Sequence, residues 1–502
     1  MPDLRWGRGV AALLSGAAIL FLILAVATAL TKKPWFDEVH FTGPAVDLVT
    51  RGTMGQPVIE PRGFASSPGV PQFRVNTRAY YAMPLSHLAP AAWYKLVGVG
   101  LFRMRALSML WGLAALLAWG YVVWKLTSSP GAAVLAAFLV ATDRFFVDSG
   151  ADGRPDMMSA ALGALALAAY LGWRERRMDR AVLLSQVLLA AAVFTHPIGG
   201  IAGFAIALVA IRDDLRRLAW RHLALAALPY LVCGLAWGLY IRVDPDAFRA
   251  QMAGNSIGRF RGFTAPLQAL WDEVRLRFLD RAYAPSYALG VRRLTVAIPL
   301  IYAAAVLALL LSRPGKSGSG ARLLAAMAVV YFFVFGIFEG AKPSFYLVHF
   351  TPLLACCVAC WAAAEWQRSG WHRPLGAGVV AILVALQVSW IAYGVRRDSY
   401  RNAYLPAVAY LRRHAGPNDL IFAVSEFAFG LGFYDHFSDD STLGYFTGKR
   451  AAYIVVDEPG YGEAFRGFAA INPALSHYVQ TTLSEDYRKV YSNPSYEIYA
   501  RR

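Results

Sequence analysis

Between Val10 and Val395 the chain alternates long uncharged apolar runs with short clusters of arginine, lysine and acids. A hydrocarbon core of about 30 Å takes about 17 to 25 mostly apolar helical residues per crossing. Eleven runs meet or approach that length: Val10–Leu30, Ala106–Trp124, Gly131–Val147, Met157–Trp173, Ala181–Thr195, Ile198–Ile211, Leu223–Ile241, Leu294–Ser312, Leu323–Phe338, Phe345–Ala364 and Pro374–Val395. The pattern predicts a mainly α, polytopic helical membrane protein. Val10–Leu30 is too long and too uniformly apolar for an ordinary signal peptide and is expected to stay as an anchor. Ala181–Thr195 and Ile198–Ile211 are short and split by His196-Pro197, so they form one kinked span or a two-pass hairpin. The flanking loops Arg174–Arg180 and Arg212–His222 are both basic, and only a hairpin puts both in the cytoplasm. That choice places the N-terminus inside and the C-terminus outside.

Three long stretches then lie outside: 31–105, 242–293 and the tail from 396. Tyr80–Gly100 has an apolar face but carries His87, Lys95 and two prolines, which predicts a helix lying along the outer interface. The tail changes character, with a helical pattern at Leu405–His414, a Gly416-Pro417 break, and strand patterns at Leu420–Val424, Ala451–Val456 and Tyr496–Tyr499. It predicts a small external α/β domain, 396–502, after a transmembrane domain, 1–395.

Composition narrows the class. Of 502 residues, 57% are hydrophobic and only 16% charged, which excludes a water-soluble enzyme and, with 14% aromatics, a disordered chain. The four cysteines, Cys233, Cys356, Cys357 and Cys360, all fall in apolar runs and act as small hydrophobes rather than a disulfide framework. Net charge is +17. Segment 31–105 holds nine Lys and Arg against four acids, and 242–293 holds nine against five. An outer basic excess points to acidic lipid head groups or a lipid-linked phosphate as partner, not to nucleic acid.

Two acidic clusters stand out at the expected outer boundary. Asp37-Glu38 follows the first span within Trp35-Phe-Asp-Glu-Val-His40, and Asp148-Ser-Gly-Ala-Asp152-Gly-Arg154-Pro-Asp156 is compressed between two spans. Three acids and an arginine in nine residues, with glycines and a proline to fix the turn, form a candidate site; N-capping of the next helix is the simpler role for Asp156. A third turn, Glu339–His349, adds Lys342 and Tyr346 at the same boundary. The sequence holds no Walker loop, no Gly-x-Gly-x-x-Gly after a strand, no His-Glu-x-x-His and no Gly-x-Ser-x-Gly, so no nucleotide is expected.

Asp37-Glu38 after the first span, Tyr80-Tyr-Ala-Met-Pro84-Leu, Arg105-Ala-Leu-Ser108, Gly153-Arg-Pro-Asp156, Thr195-His-Pro197 and Lys342-Pro-Ser-Phe-Tyr346 occur in this order on one side of the membrane. In that layout, residues 10–365 resemble the GT-C-type membrane glycosyltransferases, within them the bacterial relatives of protein O-mannosyltransferases and of the lipid A aminoarabinose transferase. Met83 stands where the aminoarabinose enzymes show lysine, and His196 replaces the hairpin lysine. The resemblance implies a multi-pass protein of the bacterial inner membrane that transfers a sugar, with inversion, from a polyprenyl-phosphate donor to a lipid, glycan or protein hydroxyl on the outer face. It implies Asp37 as general base, Asp156 and Glu38 as its catalytic partners, and Arg154, Lys342, Tyr346, Arg259, Arg261 and His196 on the donor phosphate. A divalent cation shared by Asp156 with Asp37 or Glu38 is left open. The competing reading is a secondary transporter or flippase of a lipid-linked or anionic substrate. The interrupted hairpin at His196-Pro197 favours that reading; the charges gathered at the boundary, away from the bilayer midplane, oppose it.

Overall fold

The computed structural model of the protein describes residues 7–61, 73–256, 259–283, 290–312, 318–434 and 436–502. The α-helices run in the order α1 (Arg8–Thr31), α2 (Phe36–Thr50), α3 (Leu85–Val97), α4 (Leu101–Thr127), α5 (Pro130–Thr142), α6 (Arg144–Gly150), α7 (Asp156–Trp173), α8 (Met178–Thr195), α9 (Ile201–Val209), α10 (Trp220–Ile241), α11 (Pro245–Ser256), α12 (Pro266–Asp272), α13 (Ala297–Leu311), α14 (Gly318–Phe338), α15 (Thr351–Gln367), α16 (His372–Arg397), α17 (Leu405–His414), α18 (Ala428–Leu431), α19 (Glu463–Ile471) and α20 (Pro473–Thr481). Among the described residues, eight helices of at least 18 residues are apolar enough to cross a membrane: α1, α4, α7, α8, α10, α13 with its preceding turn, α14, and α16 running on to His414.

Three of the eleven expected spans take another form. Gly131–Val147 is broken, with α5 and α6 meeting at 64°, and counting this pair as one span brings the total to nine. Asp143 sits at the break. Its carboxylate accepts the Phe146 amide at 3.0 Å, Thr351 Oγ1 at 2.8 Å, Gln387 Nε2 at 2.9 Å and the Tyr302 hydroxyl at 3.0 Å. An acid this far from water requires such partners, and capping α6 supplies one of them. Ile198–Ile211 yields only nine α-helical residues, because His196-Pro197 ends α8, residues 197–200 wind as a 3-10 turn, and 210–214 widen into a π turn. Phe345–Ala364 starts late: Ser344–His349 is a 3-10 turn, Pro352 sits in the first turn of α15, and 17 residues remain. The helix expected within Tyr80–Gly100 is α3, opened after Pro84 and containing Pro90.

The membrane helices approach closely through small residues, the usual device where lipid offers no hydrophobic drive between helices. A Cβ on Gly112 would overlap the Phe21 ring, and one on Gly320 would overlap the backbone carbonyl of Leu126 where α14 crosses α4.

The tail forms a five-stranded sheet, ordered β2-β1-β3-β5-β4, from β1 (Ile421–Phe422), β2 (Phe437–Ser438), β3 (Tyr453–Asp457), β4 (Tyr487–Ser492) and β5 (Tyr496–Arg501). β1 runs parallel to β2 and β3, and β5 antiparallel to β3 and β4. The helix expected at Leu405–His414 is α17 to the residue, whereas the two-residue β2 and the charge-bearing β4 gave no strand pattern in the sequence. The core of this sheet is not its own. Phe422, Ile454, Ile498 and Leu411 share one apolar cluster with Val39 and Val46 of α2, Tyr94 of α3 and Met104 of α4. Ile59 also adds a parallel bridge to Asp439, so the helix carrying Asp37 is gripped between the spans and the sheet.

The crossing at Gly320 gives a test. Gly320→Ala should lower the thermal unfolding temperature of the detergent-solubilised protein, because the clash is with backbone. Gly234→Ala, on an exposed face of α10 with nothing within 4 Å of its Cβ position, should leave it unchanged or raised.

Candidate active site

Asp37 and Glu38 are the first acids of α2, and successive helical residues diverge by about 100°. The two carboxylates therefore serve different partners. Glu38 points inward. Its Oε2 accepts the Trp35 amide at 2.9 Å, closing the start of the helix, and both oxygens are gripped by Arg105, with Nε to Oε1 at 2.9 Å and Nη2 to Oε2 at 2.7 Å. The Gly153 amide adds a third donor at 3.0 Å. Arg105 spends its remaining hydrogens on the carbonyls of Ala29 at 2.6 Å, Lys32 at 2.9 Å and Lys33 at 3.2 Å. Burial raises the Glu38 carboxyl, but the Arg105 charge and its hydrogen bonds outweigh it and hold the group below the usual carboxylate range. The pair ties the end of α1, the start of α2, the start of α4 and the turn before α7 at one point.

Asp37 points the other way, with its side chain 19% exposed. Its Oδ2 accepts from Arg154 Nη1. Arg154 in turn donates through Nε to Asp156 Oδ2 at 2.8 Å, and its guanidinium lies 3.8 Å from the Phe345 ring centre and 5.0 Å from that of Trp35, a cation–π arrangement that favours the charged, planar group. Asp152 caps the turn by accepting the Arg154 amide at 3.0 Å and lies 3.5 Å from Lys32. Burial pushes its carboxyl up to about 6 even with Lys32 alongside.

Asp37 and Arg154 open onto a cavity of about 630 Å³ that is also lined by His40, Tyr81, His196, Asn255, Arg259 and Tyr346. Arg259 Nη1 donates to the Tyr346 hydroxyl at 3.2 Å and lies 3.7 Å from Glu339, and the His196 ring centre is 4.9 Å from that of Tyr346. Burial pushes His196 down to about 4, so its imidazole is neutral at pH 7. Ile201 and Phe204 of α9 and Val334, Phe335 and Phe338 of α14 give the same cavity an apolar wall.

Five of the expected residues, Asp37, Arg154, His196, Arg259 and Tyr346, thus share one cavity. Asp156 stands one hydrogen bond behind it, on Arg154. Glu38 is turned away into the Arg105 pair. Lys342 lies outside the cavity lining, buried 3.1 Å from Glu273 with its Nζ donating to the Gly336 carbonyl at 2.6 Å. Arg261 lies in the 3-10 turn Arg261–Phe263, and its side chain falls outside the described residues. Among the described residues no group of three or more His, Cys, Asp or Glu is placed to hold a metal ion; Arg154 occupies the position between Asp37 and Asp156. The structure adds His40, which neighbours Asp37 one turn along α2, and gives Arg105, in the sequence only one residue of a motif, its role as the partner of Glu38.

No protein-family model matches the chain, and no curated protein matches it in sequence. Its backbone does match solved structures. ArnT from Cupriavidus metallidurans bound to undecaprenyl phosphate superposes with a TM-score of 0.60 at 14% identity, covering 98% of each chain. The oligosaccharyltransferase AglB from Archaeoglobus fulgidus, in complex with an inhibitory peptide and a dolichol-phosphate, gives 0.55 at 12% identity over 91% of this chain and 70% of that one. The chain shares the fold of these two proteins.

The Arg105–Glu38 pair is fully enclosed, and removing one partner strands a buried charge. Arg105→Met should destabilise the protein by about 3–5 kcal/mol, read as a lowered unfolding temperature, and adding Glu38→Gln should recover part of the loss. Unfolding of Arg105→Met at the wild-type temperature would show that the pair carries no weight.

Proposed function

We propose that this protein is an inverting membrane glycosyltransferase that moves a sugar from a polyprenyl-phosphate donor to an acceptor hydroxyl on the outer face of a bacterial inner membrane. The observation that carries the reading is the cavity itself: a carboxylate, Asp37, and two arginines, Arg154 and Arg259, share one space with an apolar wall drawn from α9 and α14. The lipid phosphates bound by the two proteins of like fold support the donor class, and the inhibitory peptide in complex with one of them supports an acceptor as the second substrate. In this reading residues 1–395 form the catalytic transmembrane part and 396–502 an external domain that holds α2 from above.

The chemistry follows from the side chains. An acceptor hydroxyl is a weak nucleophile until a base takes its proton. With Oδ2 of Asp37 held by Arg154, Oδ1 is left to accept that proton as the hydroxyl oxygen bonds to the anomeric carbon. The bond from that carbon to the phosphate oxygen breaks, and its electron pair leaves with the polyprenyl phosphate. Arg259, with the Tyr346 hydroxyl beside it, balances the charge that grows on the phosphate, and preset donors are most effective where water is sparse. Asp156 fixes the Arg154 fork and, through it, the direction in which Asp37 faces.

Asp37→Asn keeps the shape of the side chain and removes its proton affinity. Release of polyprenyl phosphate by the purified variant should fall ~10²–10⁴-fold while donor binding persists. Asp156→Asn should lower turnover too, whereas Asp246→Asn, an exposed acid on α11, should not. A folded Asp37→Asn protein that transfers at near wild-type rate would remove Asp37 from the role of base, and turnover with a nucleotide sugar alone would remove the donor class.

A further inference from the structure

Asp37 is followed one helical turn later by His40, and His40 reaches from the cavity to the 3-10 turn Ser425–Phe427 that follows β1. Its Nδ1 lies 3.9 Å from Asp37 Oδ1, and its Nε2 lies 3.1 Å from Ser425 Oγ. Ser425 Oγ donates to Asp439 Oδ2, and the Ser425 amide donates to the same oxygen at 2.8 Å. A serine hydroxyl has one hydrogen, and here Asp439 takes it. Ser425 Oγ must therefore accept from His40, which puts the imidazole hydrogen on Nε2 and a lone pair on Nδ1, on the side of Asp37. A small turn of the ring, or one bridging water, would close the 3.9 Å gap.

We propose that His40, Ser425 and Asp439 form a proton wire that draws the acceptor's proton away from Asp37 and into the C-terminal sheet. The inference rests on the reading of Asp37 as the base. In the step, the hydroxyl proton reaches Asp37 Oδ1 and passes to His40 Nδ1. The Nε2 hydrogen moves to Ser425 Oγ, and the Ser425 hydrogen moves to Asp439, which ends neutral. One proton has been displaced along four groups, no charge is created, and Asp37 is again a carboxylate; once Asp439 has released its proton, the imidazole hydrogen must return from Nδ1 to Nε2 by exchange with water before the wire carries another.

The surroundings suit each member to its place. Burial lowers His40, Asp37 raises it and Arg154 lowers it again, so the imidazole stays neutral between transfers. Burial pushes Asp439 up to about 7 against the pull of its Ser425 hydrogen bonds, and the carboxylate of Asp457 on β3 adds to the rise. Tyr461 also faces it, Asp440 adjoins it and Glu60 donates its amide to the Asp439 carbonyl at 3.1 Å. An acid poised there both accepts a proton and releases it near neutral pH, and Asp439 keeps partial contact with solvent for that release. The shared core of α2 and the sheet keeps the wire in register.

The test is the pH dependence of steady-state transfer by the full-length protein in detergent, with polyprenyl phosphate binding measured alongside. Asp439 must be ionised to accept, so wild-type turnover should rise with pH through about 7 and then level off. Asp439→Asn should lose ~10²-fold at the plateau, lose that rise, and bind polyprenyl phosphate as before. Ser425→Ala cuts the same wire in the middle. It should show the same flat profile, and the double variant should be no slower than either single one, since groups acting as one unit do not add. An Asp439→Asn protein that keeps the wild-type rate and pH profile, while Asp37→Asn is inactive, overturns the wire and leaves the glycosyltransferase reading standing. Additive losses in the double variant would overturn it equally. Wild-type protein that transfers from no polyprenyl-phosphate sugar would take down both.

Discussion

Two arginines held out of water must each find a carboxylate, and the start of α2 supplies both. Arg105 closes on Glu38 with no exposure on either side, and Arg154 is shared by Asp37 and Asp156. Because adjacent helical residues face different ways, one acid becomes a structural rivet and the other is left at the cavity edge. The rivet collects three carbonyls from the end of α1 as well as the turn before α7. The position of Asp37 is therefore set by four elements and not by the flexibility of a loop. A buried pair of this sort is a modest source of stability but a strict geometric demand, and the base role proposed for Asp37 profits from such a demand.

The same logic explains the irregular helices. The break between α5 and α6 gives Asp143 four hydrogen-bond donors, and the shortened α9 and α15 leave the turns 197–200 and 344–349 at the level where His196 and Tyr346 meet. Non-helical backbone at membrane depth is tolerated where it is buried in protein or lines a cavity. The two turns bring Pro197, Ile198, Phe345 and Tyr346 to the cavity wall.

The apolar runs made most of the fold legible, since a 20-residue uncharged stretch has few alternatives, and α17 was readable from its periodicity alone. What was not legible were the places where a polar side chain overrules the pattern. Asp143 looks like one stray acid near the end of an apolar run, and nothing local announces its partners at positions 302, 351 and 387. The Asp37-Glu38 pair was visible as an oddity next to the first span, but its division of labour depends on Arg105, 67 positions away in Glu38's contact. Arg154, Arg259 and Tyr346 carried the signal of charge at a boundary. Lys342 carried the same signal and instead pairs with Glu273, because boundary charge alone does not tell a ligand from an ion-pair partner. Ser425 and Asp439 gave no sign, since a serine and an acid near short strands read as turn residues.

The central claim is a single direct displacement in which Asp37 activates the acceptor and the lipid phosphate departs from the opposite face. The configuration of the anomeric carbon in the first product, read by proton NMR against a donor of known configuration, tests this most directly. A single displacement gives an inverted centre. A retained configuration would require two displacements and a covalent or ion-paired intermediate, and would contradict the role given to Asp37.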